Sequence, residues 1–425
     1  MKFKKALVAG LVSGLALATA HAQNEEPINL GVVTFLSGPA ASPFGVPARN
    51  AAELMIQEFN AGTAPAPYNK KGFGGSPIKM TIIDEAGSST SVVTEFRNLV
   101  QRDKVDLIVG YISSGNCLAI APVAEELKTV TFLFDCGTPR IFEESPKNYV
   151  FRAVNHATAD SVGAARYLKA QKPDVKNFGG INQNYAWGQD SWKDFSGAMS
   201  ILYPKSEVTT SQMPKLFAGQ YSGEISALMA SRSEVVHTSL WGGDLEAFIL
   251  QSAPRGLYKN SDVVLATGET AMYRLANRIP DGTIIGARGP YGVLAPQSAL
   301  NTWFRGKFTD RYNVPPNYTA YQMAHSMMAA KLGYEKAMAA NGGKKPNSDQ
   351  IAAAVRGMEY EGPGGVHKFA LSNGHQAVSD TAYGRTKLVN GEMTIVDVMR
   401  FPAEQVMPPN GVKSSDWIAG GMKSK

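Results

Sequence analysis

The residues best placed to do chemistry are small polar residues that follow apolar segments. Ser113-Ser114-Gly115-Asn116 comes after an apolar run and opens a helical pattern. Backbone amides and the helix dipole at such a position favour an anion, and the Ser114 hydroxyl adds a donor for a carboxylate. The alternative is that Ser114 or Asn116 only caps the helix. Cys136-Gly137-Thr138 follows the next apolar run and offers a second hydroxyl, unless Thr138 only bonds its own turn.

Two acidic residues could hold a positively charged group. Asp244 follows Trp241-Gly242-Gly243, and Glu269 follows Thr267-Gly268, each just after a predicted strand. Acidic groups opposite an anion site are what recognition of an α-amino acid requires. The alternatives are that Asp244 is a helix N-cap and that Glu269 is solvated.

Three aromatic side chains could cover a ligand. Phe44 belongs to the segment from Ser37 to Gly45, whose small residues let a ligand approach the backbone. Tyr185 and Trp187 lie just before Gly188 at a predicted helix start, and we favour Trp187 as the ring that faces the ligand. The alternative for these rings is packing in the core or between domains.

Catalytic motifs are missing from the sequence. It contains no Gly-x-Ser-x-Gly elbow, no Gly-x-Gly-x-x-Gly, no phosphate-binding P-loop and no His-Glu-x-x-His. The histidines at 156, 237, 325, 367 and 375 have no metal-ligand spacing. We therefore expect a binding protein that is not an enzyme and uses no metal or cofactor. An exported hydrolase with a dispersed triad is the alternative from another class.

The elements that carry these residues alternate between strands and helices. Strands are predicted at 28–36, 78–84, 105–112, 130–134, 149–154, 178–181, 235–241, 263–267 and 284–287. Helices are predicted at 47–59, 92–102, 189–203, 245–257, 299–312 and 320–340, with another ending at Val123. Such alternation predicts an α/β fold with mainly parallel sheets covered by helices. Asn390-Gly391 predicts a hairpin turn, and the tail after Phe401 shows no clear core-forming pattern.

The first 22 residues read as a cleaved signal peptide. A basic start, an apolar stretch from Ala6 to Ala18 and a small-x-small site at Ala20-His21-Ala22 predict export to the periplasm. Loss of the three leader lysines lowers the formal net charge from +6 to +3, so that 39 basic residues face 36 acidic ones. This weak bias, without a dense basic run, gives no indication of a nucleic-acid partner.

The two cysteines would meet an oxidising compartment after export. Cys117 and Cys136 each follow a predicted strand. If the two strands are neighbours, a disulfide between them is feasible, and the alternative is two buried thiols.

The chain resembles the type I periplasmic solute-binding proteins of ABC importers, the leucine/isoleucine/valine-binding family. The resemblance rests on Ser37-Gly38-Pro39 with Phe44-Gly45, on Asp103-Lys104-Val105-Asp106, on Ala121-Pro122-Val123-Ala124 and on Tyr149-Val150-Phe151-Arg152. It implies two Rossmann-like lobes joined by a multi-strand hinge. We expect residues 27–153 plus 283–363 in the first lobe and 154–282 plus 364–425 in the second, with the strand near Ile284 returning to the first.

The resemblance also implies a site. In branched-chain amino-acid binders, the loop matching Ser113 to Asn116 and a threonine matching Thr138 hold the carboxylate. Aromatic residues matching Phe44 and Trp187 and an acid matching Glu269 complete the pocket. This chain has Asp244 where a tyrosine is common and Cys136 where an alanine or serine is common.

These features predict a monomeric periplasmic receptor that closes on a small molecule and delivers it to an inner-membrane ABC permease. We expect an amino acid or a related small carboxylate as the ligand. An aromatic carboxylate, urea or a short amide is the alternative within the same family. A sensor that hands its ligand signal to a membrane receptor is a further alternative.

Overall fold

Two α/β lobes, each with one sheet between helices, make up residues 26–423, which the computed structural model describes. The predicted signal peptide, residues 1–22, lies outside the described residues. Within 26–423, no helix is long and apolar enough to cross a membrane.

The two sheets together contain fifteen strands among residues 26–423. They are β1 (Ile28–Thr34), β2 (Ile78–Asp84), β3 (Leu107–Gly110), β4 (Thr131–Leu133), β5 (Val150–Arg152), β6 (Asn177–Ile181), β7 (Glu207–Gln212), β8 (Val235–Thr238), β9 (Asp262–Leu265), β10 (Ile284–Gly286), β11 (Glu359–Gly362), β12 (Gly365–Leu371), β13 (Gln376–Val378), β14 (Thr381–Val389) and β15 (Glu392–Phe401).

The helices follow the same order. They are α1 (Val46–Ala61), α2 (Ser89–Gln101), α3 (Ser114–Glu126), α4 (Arg140–Glu143), α5 (Ala157–Gln171), α6 (Ala186–Leu202), α7 (Ser222–Ser231), α8 (Gly243–Ser252), α9 (Leu257–Asn260), α10 (Glu269–Leu275), α11 (Ala299–Tyr312), α12 (Tyr318–Ala340), α13 (Ser348–Val355), α14 (Ala403–Val406) and α15 (Ser414–Ala419).

Both sheets are mainly parallel. The first sheet, in the first lobe, has the order β11-β12-β13-β5-β4-β3-β1-β2, and the second, in the second lobe, has the order β15-β14-β10-β9-β8-β6-β7. Strands β1 to β5 run parallel, as do β6 to β10, whereas the β11–β12 and β14–β15 pairs are antiparallel. The predicted α/β class with two mainly parallel lobes is therefore confirmed.

Local sequence explains the central elements. Ile28, Leu30 and Val32 of β1 are fully buried, as expected of a parallel strand covered by helices on both faces. The following helix α1 has Pro47 in its first turn and ends at Gly62, whose positive φ of 72° closes the helix. This strand-turn-helix unit places the loop containing Phe44 at the carboxyl edge of the sheet.

The assignment of late strands to lobes differs from our expectation. Strand β10 pairs with β9 and β14, so Ile284 belongs to the second sheet and does not return to the first. Strands β12 and β13 lie in the first sheet beside β5, although we expected residues after 363 in the second lobe. A short apolar strand fits the edge of either sheet, and its sequence pattern does not say which one it joins.

The chain passes between the lobes at three places, after β5, after β10 and between β13 and β14. The Asn390-Gly391 hairpin joins β14 to β15 as predicted, with φ values of 52° and 84° at its two turn residues. The tail after Phe401 does contribute to a core, contrary to its sequence pattern. Trp417 and Ile418 are buried in the apolar cluster of the second lobe, so the tail is part of the folded lobe.

Candidate functional site

A small cavity lies between the lobes, where the carboxyl ends of parallel strands from both sheets face each other. Ligands bind at this edge of open α/β sheets. The free volume is about 10 Å³, room for roughly one water molecule. The cavity is lined by Phe44, Ile112, Ser114, Asp135, Gly137, Tyr185, Trp187, Trp241, Thr267, Arg288 and Tyr318.

Direct contacts hold the lobes together around this cavity. The amide of Gly243 donates to the carbonyl of Pro39 over 2.9 Å. On the other side, Arg140 forms a 2.6 Å ion pair with Asp190, which also accepts a 2.6 Å hydrogen bond from the Thr138 hydroxyl. These bonds join residues of the first lobe to α6 and α8 of the second, so the lobes are closed on each other.

Arg288 supplies the positive charge of the cavity. It follows β10 and is 4% exposed. Its Nη1 donates to the carbonyl and carboxylate of Asp135, and its Nε donates to Asp160 over 3.3 Å. Its guanidinium carbon lies 4.4 Å from the ring centroid of Trp187. The buried Nη2 has no hydrogen-bond partner among the described residues and is therefore the donor left for a ligand.

Burial and charge act in opposite directions on this cluster. Burial raises the pKa of Asp135 to about 6 and that of Asp160 to about 7, and the charge of Arg288 opposes both shifts. Burial alone would lower the pKa of Arg288, but the two carboxylates more than offset it, so the pKa lies above its ordinary value. Arg288 is therefore a permanent cation in a site shielded from water.

Ser114 completes the polar end of the cavity. Its oxygen accepts the backbone N–H groups of Gly137 and Thr138 at 3.1 and 3.2 Å, which leaves its hydroxyl proton free to donate. Position 137, beside these groups, has no room for a side chain larger than that of glycine. A Cβ there would lie 2.2 Å from the Trp187 ring and 2.8 Å from Nη2 of Arg288. Ser114 and Arg288 thus converge beside Gly137, where a carboxylate would meet both donors.

The rest of the wall is aromatic. The ring of Trp241 packs against Phe44, with centroids 5.2 Å apart, and Phe44 meets Tyr318 edge-on at 5.4 Å. Trp241 donates its indole N–H to the Tyr185 hydroxyl over 2.7 Å, and Trp187 donates to the carbonyl of Ser239 over 2.8 Å. Flat apolar faces of this kind suit an apolar or aromatic ligand body.

The N-terminus of α3 holds a carboxyl group of the protein where we expected the carboxylate of a ligand. Glu85 is fully buried and accepts the N–H groups of Ile112 and Ser113, each at 2.8 Å, and the amide of Asn116 at 3.2 Å. Burial raises the pKa of Glu85 to about 8, and these hydrogen bonds oppose the shift. Ser113 and Asn116 therefore hold Glu85 and do not line the cavity, and neither does Gly115. Of the predicted loop, only Ser114 lines it.

The third predicted loop also serves structure. Cys136 forms a disulfide with Cys117, with the two Cα atoms 6.4 Å apart, so its sulfur is not a ligand contact. Thr138 donates its hydroxyl to Asp190 across the lobe interface. Neither side chain is among those that line the cavity, because the intervening Gly137 is the residue that faces it.

The two predicted acids lie outside the cavity lining. Asp244 accepts hydrogen bonds from the Gln183 amide and from the N–H groups of Phe217 and Gly219, so its carboxylate organises loops of the second lobe. Glu269 is fully buried and accepts the N–H of Tyr318 over 2.8 Å. Burial raises its pKa to about 7.

The cavity lining includes both predicted and unpredicted residues. Four predicted ligand-binding residues line the cavity, namely Phe44, Ser114, Tyr185 and Trp187. Four other lining residues were not predicted to bind a ligand, namely Asp135, Trp241, Arg288 and Tyr318. Asp135 directly follows a predicted strand and Trp241 ends another, a signal that could have identified them. Arg288 follows a strand that we had placed in the other sheet.

Within residues 26–423, no group of three or more His, Cys, Asp or Glu side chains is placed to hold a metal ion. The cavity is lined by one cation, one carboxylate, several aromatic faces and the hydroxyl groups of Ser114, Thr267, Tyr185 and Tyr318, of which that of Tyr318 is buried without a partner among the described residues.

The sequence matches known proteins along most of its length. A family described as "Periplasmic binding protein" matches residues 27–391. The Leu/Ile/Val-binding protein homolog 4 of Brucella melitensis is 24% identical over 392 residues, which cover 89% of this chain and 88% of that protein.

Solved structures share the fold. A solute-binding protein of an ABC transporter from R. palustris, in complex with benzoate, gives a TM-score of 0.74 at 20% identity, over 88% of this chain and 96% of that one. An amino acid ABC transporter substrate-binding protein from Pseudomonas fluorescens gives 0.75 at 19% identity, over 89% and 97%.

Proposed function

The chain belongs to the periplasmic binding protein family, and on that premise we propose that it captures a small carboxylate between its lobes and delivers it to an inner-membrane ABC permease. The observation that carries this proposal is the unpartnered Nη2 of buried Arg288 beside the Ser114 hydroxyl. A carboxylate would satisfy both donors and bring a negative charge to the cluster. Closure of the lobes excludes water, which strengthens these contacts.

The wall of the cavity favours a flat apolar body on that carboxylate. Phe44, Tyr185, Trp187, Trp241 and Tyr318 surround the polar end. We propose an aromatic carboxylate as the preferred ligand, a class to which the benzoate bound by the R. palustris neighbour belongs. The small free volume means that the lobes or these side chains must move apart before such a ligand enters.

A specific observation favours an amino acid as the second candidate. Asp135 lines the cavity, and its Oδ2 is buried without a partner among the described residues. An ammonium group could pair with that oxygen while the carboxylate meets Arg288. This assigns to Asp135 the role that we predicted for Asp244 and Glu269.

Binding without turnover is part of the proposal. Ser114 is the hydroxyl beside the cation, and no histidine is among the described residues that line the cavity. A hydrolytic serine needs a base within hydrogen-bond reach. Export to the periplasm and a monomeric state complete the proposal, and mass spectrometry of the secreted chain and light scattering would check them.

Calorimetry separates the candidates. We expect benzoate and 4-hydroxybenzoate to bind more tightly than leucine, and urea to bind weakly. Ser114→Ala should weaken binding of the carboxylates about tenfold, since it removes one hydrogen bond to a charged group. Ser200→Ala, on the exposed face of α6, should change nothing. If no carboxylate binds, or if generic esters are hydrolysed, the proposal is wrong.

A further pair of variants tests the role of Asp135. Asp135→Asn should abolish amino-acid binding but leave most of the affinity for benzoate. Asp160→Asn is the matched control, because Asp160 pairs with the same arginine without lining the cavity. Equal losses for both ligands in the two variants would exclude an ammonium site at Asp135.

A further inference from the structure

A second cavity lies at the hinge, on the far side of the loop that carries Gly137. Its volume is about 240 Å³. Arg152 and Phe142 of the first lobe line it, together with the tail segment 408–413, which is packed on the second lobe. It shares no lining residue with the cavity between the lobes.

Arg152 is a buried cation that interacts electrostatically with Glu143, Asp160 and Asp190 but forms no direct ion pair with them. It is fully buried at the end of β5, and within residues 26–423 no carboxylate oxygen lies within the 4.0 Å of an ion pair with it. Its Nε donates to the Gln376 side chain over 2.6 Å, and its Nη1 donates to the carbonyls of Cys136 and Thr138, each at 2.7 Å. A buried charge without a direct ion-pair partner lowers the stability of the fold, so an anion bound beside Arg152 would be stabilising.

One donor of Arg152 remains available. Its Nη2 is buried and has no hydrogen-bond partner among the described residues, while the side chain forms part of the cavity lining. The guanidinium lies 5.3 Å from the centroid of the Phe142 ring. His156, which also lines the cavity, has its pKa lowered by burial and by Arg152, so it is neutral and can bond an anion as a donor.

We propose that this hinge cavity binds a small carboxylate, with one carboxylate oxygen on Nη2 of Arg152. Leu371 and the two prolines at 408 and 409 supply an apolar side for a short alkyl group. Exposed Lys413 adds positive charge at the rim, whereas the lining carboxylate of Glu143 accepts hydrogen bonds from Ser414. The size of the cavity suits a molecule of a few heavy atoms.

Such a ligand would act on the cleft through the Asp135–Thr138 loop. Arg152 holds the carbonyls of Cys136 and Thr138, and Arg288 holds that of Asp135. The two cations therefore bond to carbonyls of the same loop. An anion on Arg152 would reduce the repulsion between them and would stabilise the closed hinge.

Calorimetry and thermal melting with sodium propionate and sodium phosphate, against sodium chloride at equal ionic strength, test the proposal on the mature protein. Propionate should bind and raise the melting temperature. Arg152→Gln should weaken binding of propionate by about tenfold or more, and Lys413→Glu by a smaller factor of about three. Lys205→Glu, the same charge change at an exposed site on the second lobe, should bind as the unaltered protein does.

Two further variants test the site if Arg152→Gln cannot be used or if propionate binds in the cleft. If Arg152→Gln does not fold, Asn410→Trp replaces it, because a large ring at this exposed lining residue should block the cavity and abolish binding. Ser114→Ala weakens the cleft and should leave binding of propionate in place. The proposal is overturned if propionate binds the Lys413→Glu and Asn410→Trp variants as tightly as it binds the unaltered protein. It is also overturned if Ser114→Ala abolishes binding of propionate, or if phosphate binds and propionate does not.

Discussion

Arg288 lies over the indole of Trp187, with the guanidinium carbon 4.4 Å from the ring centroid. The two residues come from separate segments, since Trp187 is in the first turn of α6 and Arg288 follows β10. Gly137 of the first lobe fits against both. The stacking holds the guanidinium of Arg288 in one plane, and the fit of Gly137 against both side chains is a contact between the lobes that exists only when they are closed.

Loss of the arginine should disable the cleft. Arg288→Gln removes the charge that would pair with a ligand carboxylate, so we expect affinity for benzoate to fall about 100-fold. Unfolding free energy should also fall by about 3 kcal/mol, because Asp135 and Asp160 lose their shared partner in a buried site. Calorimetry and denaturant unfolding measure the two effects, and Arg278→Gln, at an exposed position, is the control. Unchanged affinity in the Arg288 variant would remove this residue from the site.

Gly137 should tolerate no side chain. Alanine there places Cβ 2.2 Å from the Trp187 ring, so the ring or the loop must shift away from Arg288. We expect benzoate affinity to fall about tenfold or more and the protein to lose about 1–3 kcal/mol of stability. Gly306→Ala is the matched control, since a Cβ at this position in α11 meets nothing within 4 Å and alanine favours a helix. Similar behaviour of the two variants would contradict the tight fit.

The buried carboxyl of Glu85 should make stability depend on pH. Burial raises its pKa to about 8 in the folded protein, so the native state retains a proton that the unfolded chain releases above its ordinary pKa of 4.5. Its contribution to stability is therefore lost as pH rises between about 5 and 8. Between these pH values, the free energy of unfolding of the Glu85→Gln variant should exceed that of the unaltered protein by on the order of 2 kcal/mol. Denaturant unfolding across this range, with exposed Glu144→Gln as the control, should show the gain only in the Glu85 variant.

The disulfide should stabilise the loop next to the cleft. Cys117 and Cys136 are 19 residues apart, and linking them lowers the entropy of the unfolded chain. We expect Cys117→Ala with Cys136→Ala to lower the melting temperature by an amount equivalent to about 3 kcal/mol. A reducing agent should lower the melting temperature of the unaltered protein and leave the double variant unaffected. An equal effect of the reductant on both proteins would argue against the bond.

The sequence predicted the framework better than the site. Regular alternation of apolar strands and amphipathic helices reports local structure, which explains why β1 and α1 with Phe44 between them could be predicted. The helix start at Ser113 was recognised as a binding position, but the group that it holds is the carboxyl of Glu85, 28 residues earlier in the chain. Long-range pairing of this kind leaves no periodic signal. Arg288 was missed for the same reason, because its place depends on β10 joining the second sheet.

Closure itself should depend on Asp190. This residue of α6 holds Arg140 and Thr138 of the first lobe through two bonds of 2.6 Å. Asp190 and Thr138 are buried, whereas the Arg140 side chain is 35% exposed, so solvent screens the ion pair in part. Asp190→Asn removes the ion pair and should shift the lobes toward an open arrangement. A ligand must then supply part of the closing energy, so its affinity should fall about tenfold.

X-ray scattering should show a larger radius of gyration in the absence of ligand, and saturating ligand should restore the compact form. Asp174→Asn, an exposed change in the same lobe, should do neither. If both variants scatter alike, closure is held by the aromatic contacts of the cleft and not by this ion pair.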